Sequence, residues 1–562
     1  MILFPFRYLW WLISRVRRSI GKPPEYVIFV LESDLPALPD PPRPLWQRFT
    51  SRPRLSVKEL GERFDLIAND PRIKGVILHL RPVGMPMATL QDLRELVGKL
   101  RQSGRRVVAW APFYTTGTYY LACACDEILL MPAGTVQPLG VATTGMFLKD
   151  GLARFGIEGD FVQISPYKSA PDIWMKSNMS PELREQVTWL LGSQNNELLS
   201  AIGKGRVLDD KGTQALVDAS PYSDDTALEM HVVDAVMPEE KLAARLGQGS
   251  GASVTIGTWE RTQAKLRIPA PALPARKYIA VLRIEGMIVD GRSGKLPFKP
   301  PIEIPLVSAE RAGDLTVVQV ARRVASDKRA AAVVLYVNSR GGSATASEAM
   351  RQALEVIAAR KPLVVCMGPF AASGGYWVST PGRWIVARPG SITGSIGVLS
   401  GKFVTGGIWS KLMFNRETVA FGQHVTMQGD EKPFTEEERS IVKSHIDRIY
   451  ALFLERVSKA RNMTPEEIHP VADGRVWTGR QALDRKLVDE LGGLDAAVRK
   501  ARSFAGLADT APVREVRPPK RMIPPAAIAG TAGFIGYLLE GVSLLNRAPA
   551  LAVMEYLPGD LT

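Results

Sequence analysis

The sequence predicts an α/β protein built from two tandem copies of one domain. The main observation is an internal repeat, because residues 70–141 align with residues 327–398 at a constant offset of 257 without a gap. About sixteen of the roughly seventy-two aligned pairs are identical, where chance would give about four. We therefore expect that a whole domain has been duplicated.

Within each copy, two kinds of pattern alternate. Short runs rich in β-branched residues predict strands, and in the second copy these are 278–284, 332–337, 363–367 and 383–387. The stretches 316–326 and 347–359 have the apolar spacing of amphipathic helices. Strands that are apolar on both faces and alternate with helices are typical of a parallel βαβ sheet.

Changes in composition place the expected domain boundaries. Residues 247–276 are rich in Gly, Ser, Ala and Pro, which predicts a linker. This leaves 25–246 as the first α/β domain and 277–505 as the second. Residues 1–24 precede them as a membrane-associating segment, and 506–562 follow as a C-terminal tail.

Composition and charge exclude several classes of function. Apolar residues make up 46% of the chain and charged residues 23%, which is typical of packed globular domains. The three cysteines and five histidines are scattered, so neither a disulfide framework nor a metal site is expected. The sequence has no phosphate-binding loop, and no cofactor is expected. The net charge of +14 is spread along the chain without a nucleic-acid-binding motif, so no nucleic-acid partner is expected.

Apolar segments near both ends suggest contact with a membrane. Residues 2–13 are apolar except for Arg7, and as a helix they would be about 18 Å long, against a hydrocarbon core of about 30 Å. Aromatic residues followed by an arginine cluster favour an interfacial anchor over a spanning helix. The alternative is a terminal helix that packs on the protein itself. The uncharged segment 522–539 could enter a membrane or pack in an oligomer.

Two turns of the second copy carry residues with catalytic potential. Gly341 and Gly342 follow a strand, and consecutive glycines there leave backbone N–H groups free to hold an oxyanion, although many such pairs only form turns. Ser373 lies between Ala372 and Gly374 where the next strand gives way to a helix. A serine in such a turn can be an exposed nucleophile or a helix N-cap.

Four motifs contain these residues and extend the pattern: Asn338-Ser339-Arg340-Gly341-Gly342-Ser343, Ala371-Ala372-Ser373-Gly374-Gly375-Tyr376-Trp377, Thr393-Gly394-Ser395-Ile396-Gly397 and Tyr167-Lys168-Ser169-Ala170. In these motifs, and over roughly residues 25–505, the sequence resembles the long, duplicated form of the signal peptide peptidase A family. That family consists of membrane-associated serine proteases with the Clp-protease/crotonase fold. The resemblance therefore implies this fold for both domains.

The resemblance also implies a Ser-Lys dyad, in which the second domain supplies Ser373 as nucleophile and the first supplies Lys168 as base. Backbone N–H groups at Gly341, Gly342 or Gly374 would then hold the oxyanion, and Ser169 would orient the lysine. Because a free lysine is almost entirely protonated at pH 7, Lys168 must be desolvated to act as a base.

The two copies differ in a way that agrees with one shared site. The first copy has Thr116 opposite Ser373 and Met85 opposite Gly342. The second copy has 423–426, without a lysine, near the position that corresponds to Lys168. Each copy thus keeps what the other lacks.

We therefore expect a membrane-associated serine endopeptidase that cleaves apolar peptides such as remnant signal peptides. The resemblance implies a bacterial inner-membrane location and a homotetramer. A Ser-Lys protease requires no metal or cofactor. Two alternatives stay open: an acyl-CoA-handling enzyme of the same fold, and a catalytically silent membrane scaffold.

Overall fold

A computed structural model describes residues 4–40, 53–248, 253–268, 270, 277–294, 310–518, 550–554 and 560–561. The chain divides into two compact units. Unit 1 comprises Met1–Ala142, Gly192–Ala275 and Gly559–Thr562, and unit 2 comprises Thr143–Leu191 and Arg276–Pro558.

The strands form four sheets. In chain order they are β1 Tyr26–Leu31, β2 Gly75–Leu80, β3 Met85–Pro86, β4 Arg106–Thr115, β5 Glu127–Gln137, β6 Glu158–Gln163, β7 Tyr222–Ser223, β8 Ala235–Val236, β9 Ile256–Thr258, β10 Tyr278–Glu285, β11 Met287–Val289, β12 Arg311–Gly313, β13 Ala330–Ser339, β14 Gly341–Ser343, β15 Leu363–Ala372, β16 Trp384–Ala387, β17 Ile392–Gly394, β18 Leu399–Val404, β19 Val476–Thr478, β20 Glu490–Leu491, β21 Val513–Glu515, β22 Leu551–Val553 and β23 Asp560–Leu561.

The helices lie mostly between these strands. In chain order they are α1 Phe4–Ile20, α2 Val57–Ala68, α3 Met87–Gln102, α4 Thr116–Ala122, α5 Lys149–Arg154, α6 Asp172–Met175, α7 Pro181–Arg206, α8 Asp210–Asp218, α9 Asp224–Glu229, α10 Leu242–Leu246, α11 Trp259–Thr262, α12 Asp314–Ser326, α13 Ala344–Ala358, α14 Gly374–Ser379, α15 Gly406–Lys411, α16 Glu436–Arg461, α17 Pro465–Ile468, α18 Gly479–Asp484 and α19 Leu494–Phe504.

Each unit contains a central sheet, and the two sheets have the same strand order. In unit 1 the order is β9-β1-β2-β4-β5, with β7 antiparallel and β8 parallel to β5. In unit 2 the order is β21-β10-β13-β15, followed by β16 with parallel β20 and by β17 with antiparallel β19. The remaining strands that these sheets share pair in parallel, because helices connect them as in a βαβ unit. The predicted duplicated α/β fold is confirmed.

The repeat continues beyond residues 70–141, and the offset between the two copies there changes from 257 to 255 residues. The strand 106–115 corresponds to 363–372, at the offset of 257. Further along, the helix 181–206 corresponds to 436–461, at an offset of 255.

The same ion pair fixes the end of this long helix in both copies. Arg206 contacts Asp234, which accepts a hydrogen bond from the Ile128 amide. In the second copy, Arg461 makes two hydrogen bonds to Asp489, which accepts from the Ile385 amide. A charged pair that also satisfies a strand amide ties the helix to the sheet.

Unit 2 has a further sheet, in the order β12-β11-β14-β22-β18-β6. Its strand β6 belongs to 143–191, a segment of the first half of the sequence. The units therefore differ from the sequence-based boundaries of 25–246 and 277–505, because residues 143–191 pair with the second half. Lys168 thus lies in the same unit as Ser373.

The N-terminal helix α1 is amphipathic. Trp11 is buried and its indole N–H donates to Ile268 O at 2.8 Å, so one face packs on unit 1. Phe6, Trp10 and Val16 are each more than 60% exposed. Among the residues that the structure describes, no helix combines the length and the hydropathy needed to cross a bilayer. The segment 522–539 lies outside the described residues.

The ion pair Arg461–Asp489 predicts a stability difference. Arg461 is 8% exposed and Asp489 19%, so Asp489→Asn should leave a nearly buried guanidinium without its counter-charge. We expect the free energy of unfolding to fall by about 3 kcal/mol, measured by urea denaturation. The exposed pair Lys443–Asp447 is a matched control, and Asp447→Asn should cost less than about 1 kcal/mol. Equal losses for the two variants would contradict this role.

Candidate active site

Ser373 occupies a strained turn between β15 and α14. Its backbone has φ 55° and ψ −116°, a conformation that residues with a side chain rarely adopt. The turn is held because the Ser373 amide donates to Gly394 O at 2.8 Å, and the side chain is completely buried. Such strain costs about 1–3 kcal/mol and persists only where the surroundings fix it.

Lys168 lies in a turn that follows β6, and its Nζ is 2.7 Å from Ser373 Oγ. Two contacts hold this turn against residues 473–474 of the same unit. Ser165 Oγ donates to Asp473 O at 2.5 Å. Gly474 has φ +81°, and a Cβ there would lie 2.6 Å from Lys168 N, so only glycine fits this close approach. These contacts fix the backbone of Lys168, and this places its side chain within reach of Ser373.

Ser395 completes the surroundings of the amine. Lys168 Nζ lies 3.0 Å from Ser395 O and 2.9 Å from Ser395 Oγ. Ser395 itself has φ 51°, and its amide donates to Arg475 O at 2.6 Å. Ser395 belongs to the motif 393–397, but its contact with Lys168 is not among the sequence-based expectations. A serine in a Gly-Ser turn next to a nucleophile was the available signal.

Burial controls the protonation of Lys168. The side chain is 1% exposed, and this desolvation holds the pKa of Lys168 well below its usual range. A neutral amine has two N–H donors and one lone pair. The carbonyl and hydroxyl oxygens of Ser395 can accept the two N–H groups, which leaves the lone pair for the Ser373 hydroxyl.

The three predicted oxyanion glycines are close together. Gly341 has φ +101°, and a Cβ there would lie 2.8 Å from Gly374 N. Gly342 has φ +151° and lies next in strand β14. The Gly341 amide donates to Ser339 Oγ at 3.1 Å. No glycine side chain stands between these backbone N–H groups and an approaching substrate atom, but the Gly341 amide would have to leave Ser339 Oγ in order to donate to it.

Ser169 has a different environment from the one expected. Its Oγ accepts a hydrogen bond from Gln186 Nε2 at 3.4 Å, and Gln186 Oε1 accepts from the Val476 amide at 2.9 Å. The hydroxyl that lies against the lysine amine at 2.9 Å belongs to Ser395. These contacts favour a role for Ser169 in holding its loop on β19.

The corresponding turn of unit 1 carries Thr116 in place of Ser373. Thr116 is buried, and its hydroxyl donates to Gln137 O at 3.3 Å. Gln137 corresponds to Gly394, whose carbonyl accepts from the Ser373 amide. Thr116 is the first residue of α4 and follows the N-cap Thr115, so the first copy lacks the left-handed turn seen at Ser373, and its hydroxyl is bound to the backbone.

Comparison with known proteins gives the family. The sequence profile of Peptidase family S49 matches residues 99–253 and 355–508, one region in each copy. "Protease 4" of Salmonella typhi is 32% identical over 78% of this chain and 70% of its own length. "Protease 4" of Haemophilus influenzae is 31% identical over 78% of this chain and 71% of its own. "Serine protease SPPA, chloroplastic" of Arabidopsis thaliana is 28% identical over 82% and 67%. The chain belongs to peptidase family S49 and is a serine-type peptidase.

Proposed function

We propose that Ser373 is the nucleophile and Lys168 the general base of this peptidase, acting on apolar peptides at a membrane surface. The observation that carries the proposal is the 2.7 Å separation of Lys168 Nζ and Ser373 Oγ in a fully buried setting. A nucleophile within hydrogen-bond distance of a base that a third group orients is the arrangement that covalent catalysis requires.

The first step follows from the protonation of the amine. With Lys168 neutral, the Ser373 hydroxyl donates to the Nζ lone pair, and Oγ attacks the peptide carbonyl carbon while Nζ takes the proton. The resulting ammonium then gives this proton to the departing amine. Deacylation repeats the sequence with water as nucleophile, which releases Ser373 and leaves Lys168 neutral.

Negative charge that develops on the carbonyl oxygen needs donors nearby. The amide of Gly374 adjoins Gly341 Cα, and both follow strands whose ends lie at the nucleophile. We assign the oxyanion site to the Gly341–Gly342 turn and the Gly374 amide. Removal of one such donor typically costs about 3 kcal/mol of transition-state stabilisation.

The surroundings of Ser373 support an apolar substrate. Ala372, which precedes Ser373, packs in a cluster with Leu190, Ile392 and Val476. We expect a substrate side chain next to the scissile bond to pack against this cluster. Remnant signal peptides are the apolar substrates that the family resemblance implies.

The exposed apolar residues of α1 support attachment to a membrane surface. Trp10 and Ile13 are more than 60% exposed, while Arg18 on the same helix donates to Leu266 O. A helix that is fixed to its own domain on one face and apolar on another can rest in the interfacial layer of a bilayer. The tetramer and the inner-membrane location stay predictions from the resemblance.

Replacement of either dyad residue should abolish turnover. We expect Ser373→Ala, Lys168→Met and the double variant each to lower kcat/KM on a leucine-rich fluorogenic peptide by about 10⁴-fold, without additivity, because the two groups act as a unit. Lys361→Met is the matched control, since this partly buried lysine donates to Val324 O away from Ser373. It should keep nearly full activity.

A fluorophosphonate probe distinguishes the proposal from its two alternatives. The probe should label native enzyme at Ser373 and fail to label Ser373→Ala. An acyl-CoA-handling enzyme or a silent scaffold should not be labelled. A Lys168→Met enzyme that retains more than a tenth of native activity would remove the lysine from the mechanism.

The lowered pKa of Lys168 predicts how activity depends on pH. The base works only when neutral, so kcat/KM should rise with pH through the lowered pKa of Lys168 and then level off, before the usual lysine range near about 10.4. The profile should be measured over the pH range in which the enzyme stays folded. A plateau already complete at pH 6.5 would contradict a lysine base.

Ser395 should act as a positioning residue for the amine. Ser395→Ala removes one of the two acceptors of the Lys168 N–H groups, so we expect kcat to fall about tenfold with little change in KM. Ser395→Thr keeps the hydroxyl and should recover part of the rate. The alanine variant should also change the pH range over which kcat/KM rises. A lower rate with an unchanged limb and no recovery by threonine would mean that Ser395 only supports the fold.

A further inference from the structure

We propose that residues Ala550–Met554 occupy the peptide-binding groove of this enzyme as an intramolecular substrate mimic. The proposal rests on the proposed function of Ser373, and it adds the site's mode of peptide binding and its regulation. The segment lies far along the sequence from the rest of its sheet, and all five of its side chains are at most 2% exposed.

The groove is a gap of one strand between β14 and β18. In the sheet β12-β11-β14-β22-β18-β6, strand β22 (Leu551–Val553) joins the strands β12, β11 and β14 to the strands β18 and β6. It runs antiparallel to both neighbours, with Gly341 opposite Val553 and Leu399 opposite Leu551. Without it, two strand edges would face each other with unpaired backbone groups. Such edges bind an extended peptide by strand addition.

Backbone hydrogen bonds extend this pairing beyond the strand at both ends. The Met554 amide donates to Arg340 O at 2.7 Å, and the Ala344 amide donates to Ala550 O at 3.3 Å. The segment is therefore paired along its full described length. Backbone pairing of this kind is independent of side-chain identity, which suits an enzyme that takes peptides of varied sequence.

The segment passes directly beside the proposed oxyanion donors. A Cβ on Gly341 would lie 1.9 Å from Ala552 O, and a Cβ on Gly374 would lie 3.1 Å from the same atom. The turn that contains Ser373 is thus covered by a peptide backbone rather than by side chains. A substrate that is to reach Ser373 must take the same place.

The side chains of the segment alternate between pockets. Leu551 and Val553 pack in an apolar cluster with Phe161 and Met287. Met554 packs instead with Ala372, the residue before the nucleophile. Strand addition obtains its specificity from such alternate pockets. The uncharged sequence Ala-Leu-Ala-Val-Met is thus of the same chemical class as the apolar peptides proposed as substrates.

Competition between the segment and substrate would change KM and leave kcat unchanged. If the groove is open for only a fraction of the time, the apparent KM is the intrinsic value divided by that fraction. Release of the segment should therefore lower KM. The chemical step should keep its rate, because Ser373 and Lys168 are not altered.

The test uses the full chain with Ala552→Pro, since proline removes the amide of the central residue and disfavours pairing on both edges. We expect KM on the fluorogenic peptide to fall about threefold or more with kcat unchanged. Arg514→Pro is the matched control. It places proline in the edge strand β21, which pairs with β10 on the central sheet. This control should leave KM unchanged.

A binding measurement separates this proposal from the function of Ser373. In a Ser373→Ala background, a fluorescein-labelled Ala-Leu-Ala-Val-Met peptide should bind Ala552→Pro more tightly than the parent, by the same factor as KM falls. Unchanged KM and affinity in a folded Ala552→Pro protein would overturn the mimic while leaving the dyad intact. Absence of hydrolysis and of fluorophosphonate labelling in every variant would overturn the dyad, and the peptide affinities would still decide on the mimic.

A second variant covers the case in which proline prevents folding. Leu551→Asp keeps the backbone amide but places a charge in the apolar cluster, and it should also lower KM. Loss of the folded state in both variants would show that β22 is an integral strand of the sheet, which would overturn the proposal.

Discussion

The site depends on the burial of one amine. Lys168 is held against Ser373 by a turn in which Ser165 Oγ donates to Asp473 O and the Lys168 backbone packs on Gly474, and the ammonium form would be a buried charge. Burial of this kind is costly for a charged group and cheap for a neutral one. The two oxygens of Ser395 give the neutral amine its acceptors and direct its lone pair toward the serine. The buried site therefore favours the neutral form of Lys168, which is also the form that the proposed mechanism requires.

The duplicated chain has two similar central sheets that carry different residues at the position of the nucleophile. Both copies keep the ion pair from the long helix to the sheet, with Asp234 in one and Asp489 in the other. Only the second pairs a serine in the strained turn with a lysine supplied by 143–191. The first copy keeps a threonine whose hydroxyl is bound to Gln137 O. The two copies thus share this framework, while the residues of the proposed chemistry lie in unit 2.

Much of this arrangement could be predicted from the sequence, and the rest could not for physical reasons. The repeat and the strand-turn-helix patterns predict the α/β fold, and the family resemblance implies the pairing of Ser373 with Lys168. Ser395 was missed because its role depends on a left-handed turn that sequence periodicity does not reveal. Sequence order places 143–191 with the first copy, whereas the structure groups it with the second half, because β6 pairs with β18. Strand β22 is three residues long, and its partners β14 and β18 lie roughly 210 and 150 residues away, so no local pattern identifies it.

The proposed mechanism requires that Lys168 is neutral in the resting enzyme at pH values where exposed lysines are still protonated. The most direct measurement is a ¹H–¹³C NMR titration of protein labelled at lysine Cε, with the Lys168 signal assigned by its loss in Lys168→Met. We expect this signal to have the shift of a neutral amine at pH values where the other lysines are still ammonium. A Lys168 signal that titrates together with the exposed lysines would contradict the account.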